Sequence, residues 1–311
     1  MRLARSIAAA GVLFVATLAG VVLLTGSTGA VKAAHLPDVI AAAGFYTAGF
    51  VIFNAFWAFL LCLRSPASAG SVPITPSRAW RVGLLSLAGM LTPMNLGTDV
   101  LRSVLGRRYL GIDLPTTAAA SVVARECKLH VMLVLLPVPA AFAALTLGGG
   151  RGRVAGALAG MLVLAAAFRA LRSEAARELA RSLGIGQLAE ATRGLHRQLG
   201  WRARVAVYIA FAGGLAGEWQ ALRLCFQALS IPPDVGLTLG SYGAFYFLAR
   251  TPAVPFGIGV VEAGGLAWLR LAQVPIEQAG ALILIWSTLR ILVPHALAAA
   301  AFSTFLVGSR R

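Results

Sequence analysis

Apolar runs long enough to cross a bilayer recur along this chain, and two further apolar segments are broken in the middle. A helix needs about 20 apolar residues to span the ~30 Å hydrocarbon layer. Runs of about that length or longer cover 7–26, 39–63, 115–147, 154–171, 205–229 and 277–306. Inside a bilayer only helices and closed barrels satisfy every backbone polar group, and runs this long select helices. The expected fold is all-α, a polytopic helical membrane protein with about six full spans in a single domain covering 1–311. The broken segments are 82–113 and 235–273. In the first, Val82–Met90 is too short to cross at a rise of about 1.5 Å per residue before Pro93-Met-Asn-Leu-Gly97 interrupts it. In the second, Pro252-Ala-Val-Pro-Phe-Gly-Ile-Gly-Val-Val-Glu-Ala-Gly-Gly265 packs two prolines, four glycines and one carboxylate into an apolar region. Both read as re-entrant hairpins of broken helix.

Composition excludes most other classes. The chain is 59% hydrophobic and only 12% charged, which leaves little for a separate soluble domain. The net charge of +16 lies mostly in loops. It therefore marks the cytoplasmic side and anionic lipid, and no nucleic-acid partner is expected. Arg2 and Arg5 at one end and Arg310 and Arg311 at the other place both termini in the cytoplasm of a plasma-membrane protein. The apolar run after Arg5 exceeds a signal-peptide core, so it reads as an uncleaved first span. The stretch 172–204 is the most basic loop, a candidate dock for partner enzymes, and 173–183 within it has the residues of a surface helix. Cys62, Cys127 and Cys225 all sit in apolar stretches, and His35, His130, His196 and His295 are scattered. No metal site and no cofactor are expected. Gly257-Ile-Gly-Val-Val-Glu262 lacks a surrounding βαβ unit, so it is not a dinucleotide turn. Gly156-Ala-Leu-Ala-Gly160 reads as simple helix packing.

Charges inside spans are costly, and they line a pathway or pair with one another. Asp99 and Arg102 follow the first break, Arg125 and Glu126 lie in the third span with Lys128 one turn on, Glu218 in the fifth, Arg250 before the second break, Glu262 after it and Arg290 in the last span. The broken helices also expose N-terminal N–H groups that attract phosphate or carboxylate. Pro93, Asn95 and Gly97 at one break and Pro255, Gly257 and Gly259 at the other are therefore candidate pathway residues, beside the charges. The two breaks also match each other. Pro93-x-x-x-Gly97 and Pro255-x-x-x-Gly259 are each followed by an acid, Asp99 or Glu262. Each then leads to a proline, Pro115 or Pro275, that opens a long helix containing an arginine, Arg125 or Arg290. The hairpins would enter from opposite faces, as an inverted repeat does.

At these residues the chain resembles a known family. Ala79-Trp-Arg81, Pro93-Met-Asn-Leu-Gly-Thr-Asp99, Arg102 and Arg125-Glu126 look like its N-terminal half. Leu215-Ala-Gly-Glu-Trp219, Pro255-Phe-Gly-Ile-Gly-Val-Val-Glu262 and Arg290 look like its C-terminal half. The family is the lysylphosphatidylglycerol synthase transmembrane-region, or flippase-like, integral membrane proteins. Asn95 and Phe256 stand where the family pattern often has glycine. The resemblance implies movement of an anionic, aminoacylated or polyprenyl-linked lipid between leaflets. It carries over no synthase activity, which belongs to a soluble domain not expected after Arg311, and no catalytic residue is assigned. Two other classes compete: a membrane enzyme or accessory protein of glycolipid or polyprenyl-phosphate metabolism, and a scaffold. The first would need metal-binding or paired carboxylates that the sequence lacks.

Overall fold

A computed structural model describes residues 2–63, 74–90, 96–135, 186–249 and 257–308. Every regular element among them is helical: α1 (Arg2–Thr25), α2 (Thr28–Lys32), α3 (Leu36–Leu63), α4 (Pro76–Leu85), α5 (Leu96–Leu105), α6 (Leu114–Leu135), α7 (Gly186–Gln198), α8 (Trp201–Ala228), α9 (Val235–Leu248), α10 (Val260–Leu271) and α11 (Ile276–Gly308). Three of these, α3, α8 and α11, are long and apolar enough to cross a membrane. These are three clear spans among the described residues, against about six expected over the whole chain. The fourth expected span, at 154–171, its GxxxG, the surface helix at 173–183 and the far end of the third span lie outside those residues.

Local sequence explains where the helices begin. Asp113 accepts a hydrogen bond from the Thr116 N–H at 3.1 Å, and Pro115 sits in the first turn of α6, where its missing N–H costs nothing. Asp234 caps α9 in the same way, at 2.9 Å from the Leu237 nitrogen. Pro275 stands immediately before α11. Further on, Pro294 lies inside α11 and withdraws the N–H that the Arg290 carbonyl would otherwise accept.

The body is built on α3 and α8, which pack along much of their length. Small residues let them approach. A Cβ on Gly49 would stand 3.0 Å from the Gly214 carbonyl oxygen, and one on Gly217 would stand 3.2 Å from that of Phe45. With no water to expel between lipid-facing helices, such close van der Waals packing is a main source of association. Beside the seam, fully buried Trp57 donates its indole N–H to Ser121 of α6 at 3.1 Å, and Phe226, Leu222 and Leu60 fill the core.

Each broken segment folds back on itself. In the first, α4 runs into a 3-10 turn, Ser86–Gly89, and that turn packs on α5. The start of the hairpin meets its end, because α4 also touches a π-helical turn at Gly106–Leu110. The two arms cross backbone to backbone: a Cβ on Gly89 would collide with the carbonyl group of Gly97. Gly111 closes the π turn at φ 67°, a left-handed conformation that glycine adopts at no steric cost. In the second segment α9 and α10 pack together, with Gly265 against Phe245 and Gly264 against Leu248. Gly257 and Gly259 take φ of 68° and 85° at the break. The element order around the hairpins also recurs: a long helix, a hairpin and a second long helix describe both α3–α6 and α8–α11. The later part of the basic stretch, expected as loop, is largely helical. There α7 packs on α6 through Ala191 and Leu195, and α8 begins at Trp201.

Candidate functional site

Between the two hairpins lies a cavity of about 370 Å³, walled by α3, α5, α6, α8, α9 and α11. Asp99, Arg102, Arg125, Lys128, Glu218 and Arg290 line it. Four cations against two carboxylates leave a formal surplus of two positive charges among the described lining residues. Aromatic rings, among them Tyr46, Phe53, Tyr242 and Trp286, form much of the remaining wall.

Arg102 is fixed. Its side chain is 11% exposed and donates from Nε to Ser86 at 3.2 Å and from Nη2 to the Asn54 carbonyl oxygen at 3.0 Å. Its guanidinium also stacks over the Trp57 ring at 5.1 Å. The planar fork suits this set of partners, and an ammonium would not reproduce it. Arg125 differs: its side chain is 45% exposed and it pairs with Asp99 at 2.5 Å. Asp99 stands in the first turn of α5, where a carboxylate also meets the positive end of the helix. Its second oxygen is 3.9 Å from Arg102.

One turn beyond Arg125, Lys128 donates to Glu218 of α8 at 3.1 Å. Tyr242 of α9 donates to the other Glu218 oxygen at 2.7 Å. The Lys128 ammonium also sits 3.6 Å from the centre of the Phe53 ring. Arg290 of α11 is only 4% exposed. The cavity thus holds cations of two kinds: Arg102 clamped to the scaffold, and Arg125 and Lys128 each facing a carboxylate that a ligand anion could replace.

The cavity brings together Asp99, Arg102, Arg125, Glu218 and Arg290 of the sequence-derived candidates. Glu126 turns away from it and meets His196 of α7 at 2.7 Å. Glu262 also lies outside it. Its carboxylate is 1% exposed, accepts the Gly259 N–H at 2.6 Å and the Ser287 hydroxyl at 2.5 Å, and so closes the first turn of α10. Gly97, Gly257 and Gly259 shape the breaks, while Pro93, Asn95, Arg250 and Pro255 lie outside the described residues. Lys128, which the sequence shows beside Arg125, and Asn54, Tyr242 and Trp286 belong to the cavity too. Asn54 had a signal of its own, as an amide in a long apolar run.

Long apolar helices, interrupted helices and a charged cavity among them define a polytopic helical membrane protein. The chain belongs to the lysylphosphatidylglycerol synthase TM region family, whose model matches residues 4–298, which makes it a membrane protein related to lipid handling. No curated protein and no solved structure matches it.

Proposed function

We propose that the chain is a lipid transporter that takes the headgroup of an anionic lipid into the charged cavity and moves the lipid between leaflets. The carrying observation is the cavity itself: four cations and two carboxylates drawn from both halves of the chain, beside both broken segments. A phosphate entering it displaces carboxylates rather than water, so Arg125 exchanges Asp99 for the ligand and Lys128 exchanges Glu218. A headgroup amine, where the lipid carries one, then meets the released carboxylates. The hairpins re-enter the bilayer from opposite faces, and their breaks bring the cavity to mid-depth. No chemistry on the lipid is required, so the chain acts as a carrier and not as an enzyme. On this reading the protein works in the plasma membrane with both termini in the cytoplasm, an orientation that Arg2, Arg5, Arg310 and Arg311 favour.

The test is reconstitution in liposomes carrying fluorescent anionic, zwitterionic, aminoacylated or polyprenyl-phosphate lipids on both leaflets. A membrane-impermeant quencher is then added. Wild-type protein should allow quenching beyond the outer half for an anionic lipid, and Arg125→Gln should lose that excess while still inserting. Quenching limited to half for every lipid, with and without an imposed potential or pH gradient, would end the proposal.

A further inference from the structure

A second hollow, of about 420 Å³, opens between α1, α10 and the start of α11. It shares no lining residue with the charged cavity. Most of its floor and walls is apolar or small, Gly20, Val21, Leu24, Ala263, Leu266 and Ala267, with Thr17 and Glu262 the polar side chains near its inner end. Nothing stands within 4 Å of where a Cβ on Gly20 would be, so that wall is vacant. At one end is Arg270, an exposed cation in the last turn of α10. One of its N–H groups donates to the Val274 carbonyl at 3.2 Å. Exposed apolar neighbours flank it, Leu271 at 77% and Ile276 at 37%.

The ends of the hollow have a definite place in the bundle. Arg270 lies beside the turn that leads into α11, where Gln278 reaches the Leu229 carbonyl at 3.2 Å, and the His35 N–H reaches that of Ala228 at 2.8 Å. The connections after α1, α8 and α10 therefore gather at one end of the molecule. From there the hollow runs inward along α10 to Gly259. Eleven residues of helix cover about 16 Å, close to the ~15 Å that is half of the hydrocarbon layer.

We infer that this groove holds one acyl chain of a phospholipid from the leaflet on the Arg270 side, with the lipid phosphate paired to Arg270. An apolar slot one leaflet deep, rimmed by a cation at the level of the chain turns, fits that ligand in length, polarity and charge. The two polar side chains at the inner end are both engaged within the chain, Thr17 donating to the Leu13 carbonyl at 2.8 Å and the buried Glu262 accepting from Gly259 and Ser287, so the cation that meets a headgroup is Arg270 at the other end. The assignment is independent of lipid transport.

The test uses the intact protein in nanodiscs of phosphatidylglycerol doped with a phospholipid that carries a photoactivatable diazirine at mid-chain. Adducts should concentrate on 17–24 and 259–270. Arg270→Gln should lower their yield about fivefold to tenfold, the scale of one charge-assisted contact. Gly20→Leu should lower it similarly by filling the slot, and Ala267→Leu, an exposed change, serves the same purpose if Gly20→Leu does not fold. A diacylglycerol probe with the same chain and no phosphate should label weakly. Adducts spread evenly over the lipid-facing sides of α3 and α8, an undiminished yield in Arg270→Gln, or equal labelling by the phosphate-free probe would each overturn the assignment.

Discussion

Lys128 and Glu218, 90 residues apart in sequence, meet at 3.1 Å across the α6–α8 interface, with Tyr242 on the far oxygen of the carboxylate. Both side chains are largely buried. Each charge is tolerable there only because of the other, since removing one partner of a buried pair leaves an uncompensated ion.

Lys128→Met should therefore lower stability by about 3 kcal/mol. The double change Lys128→Met with Glu218→Gln should recover at least half of the loss. Thermal unfolding in detergent, arranged as a double-mutant cycle, reads the coupling directly. Simple additivity of the two changes would mean that the pair is not a unit.

Glu262 and Arg125 should separate stability from transport. Glu262→Gln weakens the closure of the first α10 turn, at a cost of about 1–2 kcal/mol. The protein that still folds should move lipid at close to the wild-type rate. Arg125, nearly half exposed, should behave oppositely: Arg125→Gln leaves the unfolding temperature almost unchanged and abolishes transport. Unfolding curves alongside the quenching assay distinguish the two.

Gly89→Ala should prevent the first hairpin from closing, because the added methyl meets the Gly97 backbone, which has no rotamer to change. The matched control is Gly44→Ala in α3, where nothing stands within 4 Å. That change should be neutral or stabilising by about 0.5–1 kcal/mol. Yield of monodisperse protein after extraction compares them.

Arg102→Lys should fail although it keeps the charge. Lysine cannot serve Ser86 and Asn54 together and stack on Trp57. A fall in stability of about 2 kcal/mol is expected by thermal unfolding. Adding Asn54→Asp to the Arg102→Lys variant supplies a new counter-charge and should offset part of that fall.

The long apolar runs and the two interruptions were plain in the sequence because bilayer length and Pro/Gly chemistry act locally. The charges were conspicuous for the same reason, and Asp99, Arg102, Arg125, Glu218 and Arg290 do converge on one cavity. What the sequence could not decide was rotation. Arg125 and Glu126 are adjacent, yet side chains one position apart on a helix diverge by about 100°, so one faces the cavity and the other faces α7. Only packing against α7 and α8 selects between them. Glu262 has a local structural role that the sequence showed only in part. It occupies the third position after the helix start, where a glutamate reaches back to a backbone N–H, but the usual Ser or Thr signal before it is replaced by Gly259. Tyr242 and Trp286 carried no signal, because aromatics are ordinary in apolar helices.

The clamp on Arg102 has an electrical consequence. A positive charge tied to Ser86, Asn54 and Trp57 stays with the scaffold when an anion passes through, so it neutralises the cargo without travelling with it. Under the proposed function, each singly charged lipid then carries its own charge across the whole field. The membrane voltage biases its distribution by about 2.3 kcal/mol per 100 mV, favouring the positive side of the membrane. On that account the resting potential alone would suffice to sort anionic lipid toward the outer leaflet.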